Sequence, residues 1–409
     1  MKICIYCHNF PVLSQTFVSN QIKSLISLGH DVTVMTNIYI KENSYIIDSI
    51  GLKKEKLITI LNKNKKLSRV LSLPKVIFTL LMQKKLRQIT SIIYDNNLNI
   101  AHKVNLLYAL ANIKKLHSFD YIFVHFGVNG YFIAKMRDLN LINGKIGVIY
   151  HGFELSRKKV LYKYKSIYCS VFNKCELLLP ISANWKKTLL NLGAIEEKIL
   201  IFRMGIFPSD FLKRRNTPFK DTLNIIQVGR LTEKKGVFDS IKAISKLPNN
   251  FSVKLTIVGE GDLLTKAKQL VSDLNINSKV IFTGKVPNND VQQLLVNSDI
   301  FLLPSITAKD GDQEGIPVAL MEAMAMGLIV ISTYHSGIPE LIQDKKNGFL
   351  VPEKSPIDIC STIQDISKLD LLELNNIRKN AQDTILDKYD YLKNNQNLLK
   401  AINNRVEKE

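Results

Sequence analysis

The sequence predicts an α/β protein of two doubly wound domains, and three observations lead there. Short β-branched runs alternate with helical segments along the whole chain. Those runs are near-continuously apolar, as parallel strands covered on both faces must be, rather than alternating. The chain has 409 residues, 46% of them apolar, which is too long for one ordinary core and apolar enough for two.

In the first half the candidate strands are Ile3–Cys7, Val32–Thr36, Tyr121–His125, Ile146–Tyr150, Leu177–Ile181 and Ile199–Arg203. In the second half they are Asn224–Val228, Leu255–Val258, Val280–Thr283, Ile300–Leu303, Ile329–Ser332 and Phe349–Val351. Strand–helix–strand order repeated in this way is the pattern of doubly wound sheets. Met204–Thr222, with a glycine, two prolines and a Lys-Arg-Arg run, reads as the linker. Ligands of such sheets bind outside the carboxyl ends of the strands. Four distinctive residues fall at those ends: His125, His151, Arg230 and Gly259. Two facing domains would therefore share one cleft.

The net charge of +20 is lopsided: residues up to Gly205 hold 30 Lys+Arg against 11 Asp+Glu, and the remainder 26 against 25. The excess clusters at Lys53, Lys54, Lys56, Lys63, Lys65, Lys66, Arg69, Lys75, Lys84, Lys85 and Arg87, and again at Arg157, Lys158, Lys159, Lys163 and Lys165. Apolar residues interleave with both clusters, which suits anionic lipid headgroups or a pyrophosphate-linked substrate. A merely solvated lysine-rich face is the plainer reading. No nucleic-acid module signature appears, so no nucleic-acid partner is expected. The five cysteines form no paired framework. Cys4 and Cys7 lie three apart on a strand and point to opposite faces, as free cytoplasmic thiols would. A first strand beginning at residue 2 leaves no room for a signal peptide, and the apolar run Val70–Met82 is too short and interrupted to span a bilayer.

The most informative stretch is Asp310-Gly-Asp-Gln-Glu-Gly-Ile-Pro-Val-Ala-Leu-Met-Glu-Ala-Met-Ala-Met-Gly327. Pro317 is placed for the first helical position and Gly327 for the residue after the last. The helix between them is apolar nearly all round and should be buried, so Glu322 inside it is costly unless it meets donors. Ligand hydroxyl groups would serve, as would a core Lys or Arg. Gly229-Arg-Leu-Thr-Glu-Lys-Lys-Gly236 follows a strand and opens a helix; Arg230 and a lysine at 234 or 235 beside that helix N-terminus suit a diphosphate. Val124-His-Phe-Gly127 and Tyr150-His-Gly-Phe-Glu154 each end an apolar strand in a histidine beside a glycine, and two such ends suggest a pocket.

Taken together, the Gly229–Gly236 segment, Glu314 and Glu322 separated by seven residues, and His151-Gly-Phe-Glu resemble the GT4 family of retaining, nucleotide-sugar-dependent glycosyltransferases of the GT-B fold. The resemblance extends over Phe10-Pro-Val-Leu-Ser-Gln-Thr-Phe17, Ile257-Val-Gly-Glu-Gly261, Asp299-Ile-Phe-Leu-Leu-Pro-Ser305 and His335-Ser-Gly-Ile-Pro-Glu340. Its wording is most similar to the branch that builds exopolysaccharide, capsule or O-antigen repeats. It implies an acceptor domain over residues 1–206, a nucleotide-sugar domain over 207–385, and a final helix, 386–409, that crosses back.

The resemblance also implies roles. Gly229, Arg230 and Lys235 would hold the donor diphosphate, and Arg230 and Lys235 would stabilise the departing nucleoside diphosphate. Glu314, with the backbone of Gly315, Ile316, Pro317 and Val318, would contact the donor sugar. Glu322 would bind the ribose hydroxyls and His151 the anomeric side, with His125 beside it. Ser14, Gln15 and Thr16 would replace the glycine-rich turn that many relatives carry, and would meet the acceptor. Asp310-Gly-Asp312 mimics the metal motif of a different glycosyltransferase fold but reads here as a loop, so no metal or other cofactor is expected. The implied activity moves a hexose, expected from a UDP-sugar, to a lipid-linked oligosaccharide at the inner face of the cytoplasmic membrane. A sugar-nucleotide epimerase on the same scaffold is the alternative.

Overall fold

Apolar runs that can be buried on both faces become two six-stranded, all-parallel sheets in a computed structural model, which describes residues 1–406 apart from 14, 62–65, 115, 212–217 and 220. The first sheet comprises β1 (Lys2–Phe10), β2 (Asp31–Tyr39), β3 (Leu57–Thr59), β4 (His117–His125), β5 (Ile142–Tyr150) and β6 (Leu177–Pro180), in the order β3-β2-β1-β4-β5-β6. The second comprises β7 (Leu223–Val228), β8 (Val253–Val258), β9 (Val280–Gly284), β10 (Ile300–Leu302), β11 (Ile329–Thr333) and β12 (Phe349–Val351), in the order β12-β11-β10-β7-β8-β9. These are the same doubly wound order, and each reverses direction once: between β1 and β4, and between β7 and β10. Such switch points open a crevice at the strands' carboxyl ends.

The central strands are sealed. Ile3, Ile5, Phe123, Val124, Ile146 and Val148 are buried in the first sheet, as are Ile225, Leu255, Ile300 and Ile331 in the second. Each such side chain contributes roughly 1.5–3 kcal/mol through the water it sheds. The segment Ile199–Arg203, expected as a strand, is not one. Leu200 and Phe202 donate backbone bonds to Leu178 and Pro180 of β6, but pairing stays at the single bridge Leu178–Ile199. The sixth strand is instead β3, a three-residue edge whose short, part-buried Leu-Ile-Thr gives little periodic signal. Of the linker's residues, the Lys-Arg-Arg run lies outside the described residues, as do Lys63, Lys65 and Ser14.

The chain crosses between domains twice, and the crossings bond to each other: the Ile206 amide donates to the Tyr389 carbonyl at 2.9 Å and the Tyr391 amide to the Ile206 carbonyl at 2.9 Å. Helix Leu371–Lys388 packs in the second domain, whereas Tyr391–Val406 lies on helix Thr16–Ser27 of the first. There Tyr391 donates its hydroxyl to the Phe17 carbonyl at 2.8 Å, and Leu398, Leu399 and Ile402 join the first domain's core. Met1–Cys7 leaves Cys4 and Cys7 as buried free thiols, both pushed above the usual range by burial.

Candidate active site

The carboxyl ends of the two sheets border a cleft of about 560 Å³, within the range of small-molecule sites. From the first domain come Gln15, Thr16 and Phe17 after β1, Phe126 after β4, and His151, Phe153 and Arg157 after β5. From the second come Arg230, Thr232, Lys234 and Lys235 after β7, and the run Asp312–Ala319 between β10 and helix Val318–Met326. Most of the site residues singled out in the sequence therefore meet: Gln15, Thr16, His151, Arg230, Lys235, Glu314, Gly315, Ile316, Pro317 and Val318.

Glu314 is buried, and its Oε1 lies 3.1 Å from Lys235 Nζ and 3.7 Å from Lys234 Nζ. Burial pushes its carboxyl up, but the two ammonium groups outweigh it and hold it below the usual carboxylate range. Its backbone is pinned as well. The Glu314 amide donates to His335 Nε2 at 3.0 Å, and His335 Nδ1 meets Glu353 Oε1 at 2.6 Å. An Nε2 that accepts carries no proton, so His335 holds its proton on Nδ1 and donates it to Glu353. His335 and Glu353 thus position the Glu314 backbone; in the sequence His335 stands only within the His-Ser-Gly-Ile-Pro-Glu run, with no role of its own, and Glu353 carries no signal. Gly315 is needed for space: a Cβ there would lie 2.7 Å from Ile181 Cδ1 and 3.1 Å from the His151 carbonyl, across the domain boundary.

The cationic end of the cleft differs from the expectation in one respect. Helix Val237–Lys246, which the Gly229–Gly236 segment opens, does not start at the cleft. Gly236 and Val237 line a separate hollow instead, behind a 3-10 turn over Glu233–Lys235. Gly236 sits at φ 63 with its α-carbon against the Pro304 carbonyl, which no side chain would permit. The helix N-terminus at the cleft is that of Val318–Met326, where Pro317 is the capping residue rather than the first helical one. The Val318 and Ala319 amides have no acceptor among the described residues, so they and the helix dipole face the cleft. Arg230 is exposed there, and no protein acceptor reaches it among the described residues. The cleft lining holds four cations (Arg157, Arg230, Lys234, Lys235) and two carboxylates (Asp312, Glu314), a surplus of two positive charges. Gly229 lies beneath Lys235, within 3.8 Å of its Nζ by a Cβ placed there.

Among the described residues Glu322 pairs with no core Lys or Arg. It lies one turn beyond Val318 and Ala319 on the same helix face, outside the cleft-lining set, with no described hydrogen bond or ion pair to its carboxylate. Burial alone raises its carboxyl to about 7. A carboxylate so placed is costly unless it meets hydrogen-bond donors.

His151 presses its ring on Phe17 and Phe126, with centroids 4.3 and 4.7 Å away, and its Nε2 is 2.9 Å from His125 Nδ1. His125 lies fully buried behind His151 and does not line the cleft, so its expected contact with substrate is corrected to an indirect one. Burial lowers His125 to about 3, and burial and then His125 hold His151 well below its ordinary value, so both stay neutral. His125 Nε2 has no partner among the described residues. An orphaned acceptor costs less than an orphaned buried N–H. His125 therefore donates from Nδ1 to His151 Nε2, leaving His151 its proton on Nδ1. Glu154 braces this segment by accepting from the His151 amide at 2.9 Å. Phe126, at φ 70, is a bulky residue in a strained backbone region, a cost on the order of 1–3 kcal/mol of the kind found at binding sites.

Arg157, grouped by sequence with the lipid-facing lysines, turns into the cleft instead: its Nη2 meets Asp312 Oδ2 at 2.9 Å and its Nε meets Asp310 Oδ2 at 3.4 Å. Asp312 also takes Lys234 Nζ at 3.2 Å. The two aspartates of the Asp-Gly-Asp run are thus engaged by cations of the protein itself.

Comparison with known proteins gives a consistent picture. Residues 209–384 match the family described as glycosyl transferases group 1. The chain is 36% identical over 358 residues to the amylovoran biosynthesis glycosyltransferase AmsK of Erwinia amylovora, covering 86% of this chain and 87% of that one. It is 33% identical over 403 residues to the putative colanic acid biosynthesis glycosyltransferase WcaL of Escherichia coli K12, covering 94% and 95%. In fold it superposes on Anabaena HepE in complex with UDP and glucose, with a TM-score of 0.71 at 16% identity over 98% of this chain and 99% of that one.

Proposed function

This chain belongs to the group 1 glycosyl transferases of the GT-B fold, and from that premise we propose that it transfers a hexose from a nucleotide sugar, a UDP-sugar first, to a lipid-linked oligosaccharide of a surface polysaccharide, with retention at the anomeric carbon. The observation that carries this is the convergence of Arg230, Lys235 and the open Val318 and Ala319 amides on one cleft beside Glu314. A diphosphate satisfies that positive end, and a sugar fits between Glu314 and His151. The carboxylate of Glu322, one helical turn on, would take the ribose hydroxyls.

In the reaction the acceptor hydroxyl oxygen bonds to the anomeric carbon as that carbon's bond to the diphosphate oxygen breaks. The acceptor's proton passes to the departing phosphate on the same face, so no covalent enzyme intermediate is needed. Lys235 and Arg230 offset the charge that grows on the leaving diphosphate, and His151 donates from Nδ1 towards the sugar. Neutral histidines suit that task, since an imidazolium beside a developing oxocarbenium would oppose it.

Support for a membrane-borne acceptor comes from helix Lys66–Met82. No helix among the described residues is long and apolar enough to cross a membrane. That helix nevertheless turns Leu71, Phe78 and Met82 outwards at 73%, 64% and 71% exposure, with Lys75 on the same face. Between Lys56 and Tyr94 the sequence has nine Lys or Arg and no Asp or Glu. An apolar ridge in a basic surround suits an anionic bilayer surface.

Thermal stabilisation by a panel of UDP- and GDP-sugars tests the donor: a ligand at 100 times its Kd adds about 2.7 kcal/mol to a folded protein. Glu314→Ala and Lys235→Ala should abolish transfer in protein that still melts cooperatively. An active double variant would reject the reading, and product formed from donor with no acceptor present would favour the epimerase.

A further inference from the structure

The Asp310-Gly-Asp312 loop has no part in the roles above, yet it is the most heavily bonded crossing between the domains at the cleft mouth. Asp312, nearly buried, accepts from Arg157 Nη2 at 2.9 Å with one oxygen and meets Lys234 Nζ at 3.2 Å with the other. Around it the Lys158 amide donates to the Asp310 carbonyl at 3.2 Å, and the Gln313 amide to Ser156 Oγ at 3.3 Å. The loop itself is stiffened by the Asp312 amide donating to Asp310 Oδ1 at 2.9 Å and its carbonyl accepting from the Ala308 amide at 3.0 Å.

The two cations that Asp312 joins belong to the two halves of the site. Arg157 follows directly on the short helix Phe153–Ser156, which starts two residues after His151. Lys234 reaches within 3.7 Å of Glu314 and 3.4 Å of the Gln313 carbonyl. We propose that Asp312 is a positioning residue for the transfer reaction: by joining Arg157 of the first domain to Lys234 of the second, it sets the width of the cleft between His151 and Glu314. It also divides the labour of the adjacent lysines. Lys234 is held on the loop, while Lys235 keeps one carboxylate contact and remains the cation for a diphosphate. Without Asp312, Arg157 and Lys234 would face each other as like charges, which pushes the mouth open. A second cross-domain cluster, Glu340 with Arg203 and the Ala183 amide, lies away from the cleft lining and would serve as the counter-contact about which such opening occurs.

The test uses the full chain. Cys169 is an exposed free thiol in the first domain, whereas the other four cysteines are buried, so it takes one label; an introduced Lys268→Cys on the second domain takes the other. Label separation is read in wild type, Asp312→Ala, Arg157→Ala and the double variant, with Asp312→Asn as the shape-preserving substitute should the alanine variant fold poorly. Each single change should lengthen or broaden the separation, and the double should do no more than either alone, because the two act through one contact. Unchanged separation, or single effects that add, overturns the proposal. UDP serves as the second probe: its affinity should stay within about threefold of wild type, as Lys235 and Arg230 remain, while turnover falls on the order of 10–100-fold. A matched loss of affinity, turnover and melting temperature would mark Asp312 as merely structural and also overturn it. This turnover arm rests on the function proposed above. If wild type binds no nucleotide, that function fails, and the label separation still decides whether Asp312 sets the cleft width.

Discussion

Replacing Glu322 by Gln tests whether this buried carboxylate, which pairs with no described residue, belongs to the donor site. Its carboxyl is raised from 4.5 to about 7 by burial alone. At about 1.36 kcal/mol per pKa unit this caps the cost of ionising it in the folded protein at about 3 kcal/mol, and its partial exposure trims that to about 1–2 kcal/mol. The sign follows from the native state preferring the protonated form. Stability is intact below the unfolded value of 4.5 and is lost as pH rises through the folded value near 7. Glu322→Gln is neutral throughout, so it escapes the loss. Melting temperatures across pH 4.5–8 should show the variant equal to wild type at the acid end and roughly 3–6 °C higher at the alkaline end. With UDP-glucose present the order reverses. Wild type gains the bonds from ribose hydroxyls to a charged carboxylate, each about 1.5–3 kcal/mol, and the variant binds roughly 10–100-fold more weakly. A difference that is flat with pH would mean that a protein cation already partners Glu322, and undiminished binding by the variant would remove it from the ribose site.

The neutral His125–His151 pair predicts a turnover profile with no limb near pH 6.5 that His151→Ala removes; such a limb, present only in wild type, would show that His151 takes up a proton. For the basic surface formed by helix Lys66–Met82 and the residues that follow it, co-sedimentation with vesicles rich in phosphatidylglycerol should fall about 100-fold when Lys75, Lys84 and Arg87 become Ala, at about 1 kcal/mol per cation. Phe78→Ser with Met82→Ser should weaken it further, and binding that ignores anionic lipid content would dismiss the surface.

Much of this architecture was legible in the residues because it is written locally. Eleven of the twelve strands follow from apolar runs that a parallel sheet can bury on both faces, and the one missed, Leu57–Thr59, is three part-buried residues at an edge. Ile199–Arg203 is apolar enough for a strand, but its pairing with β6 stops at the single bridge Leu178–Ile199. Glu322 was legible because a carboxylate inside a buried apolar helix is costly without donors, whereas Glu314 and Lys235 stood out only through the family resemblance. His125 was placed on the substrate because sequence cannot tell which of two strand-end histidines stands in front.

The sequence by itself determined two doubly wound domains, a cleft at their strand ends, and the kinds of charge that line it. Only the tertiary structure decided which helix end faces the cleft, that Val318–Met326 and not Val237–Lys246 offers its amides there, and that Arg157 points to Asp312 instead of to lipid. The reason is separation along the chain. A helix or strand is chosen by neighbours a few residues away, whereas Arg157 and Asp312 meet across 155 residues, a contact that exists only once both domains are folded and closed on each other.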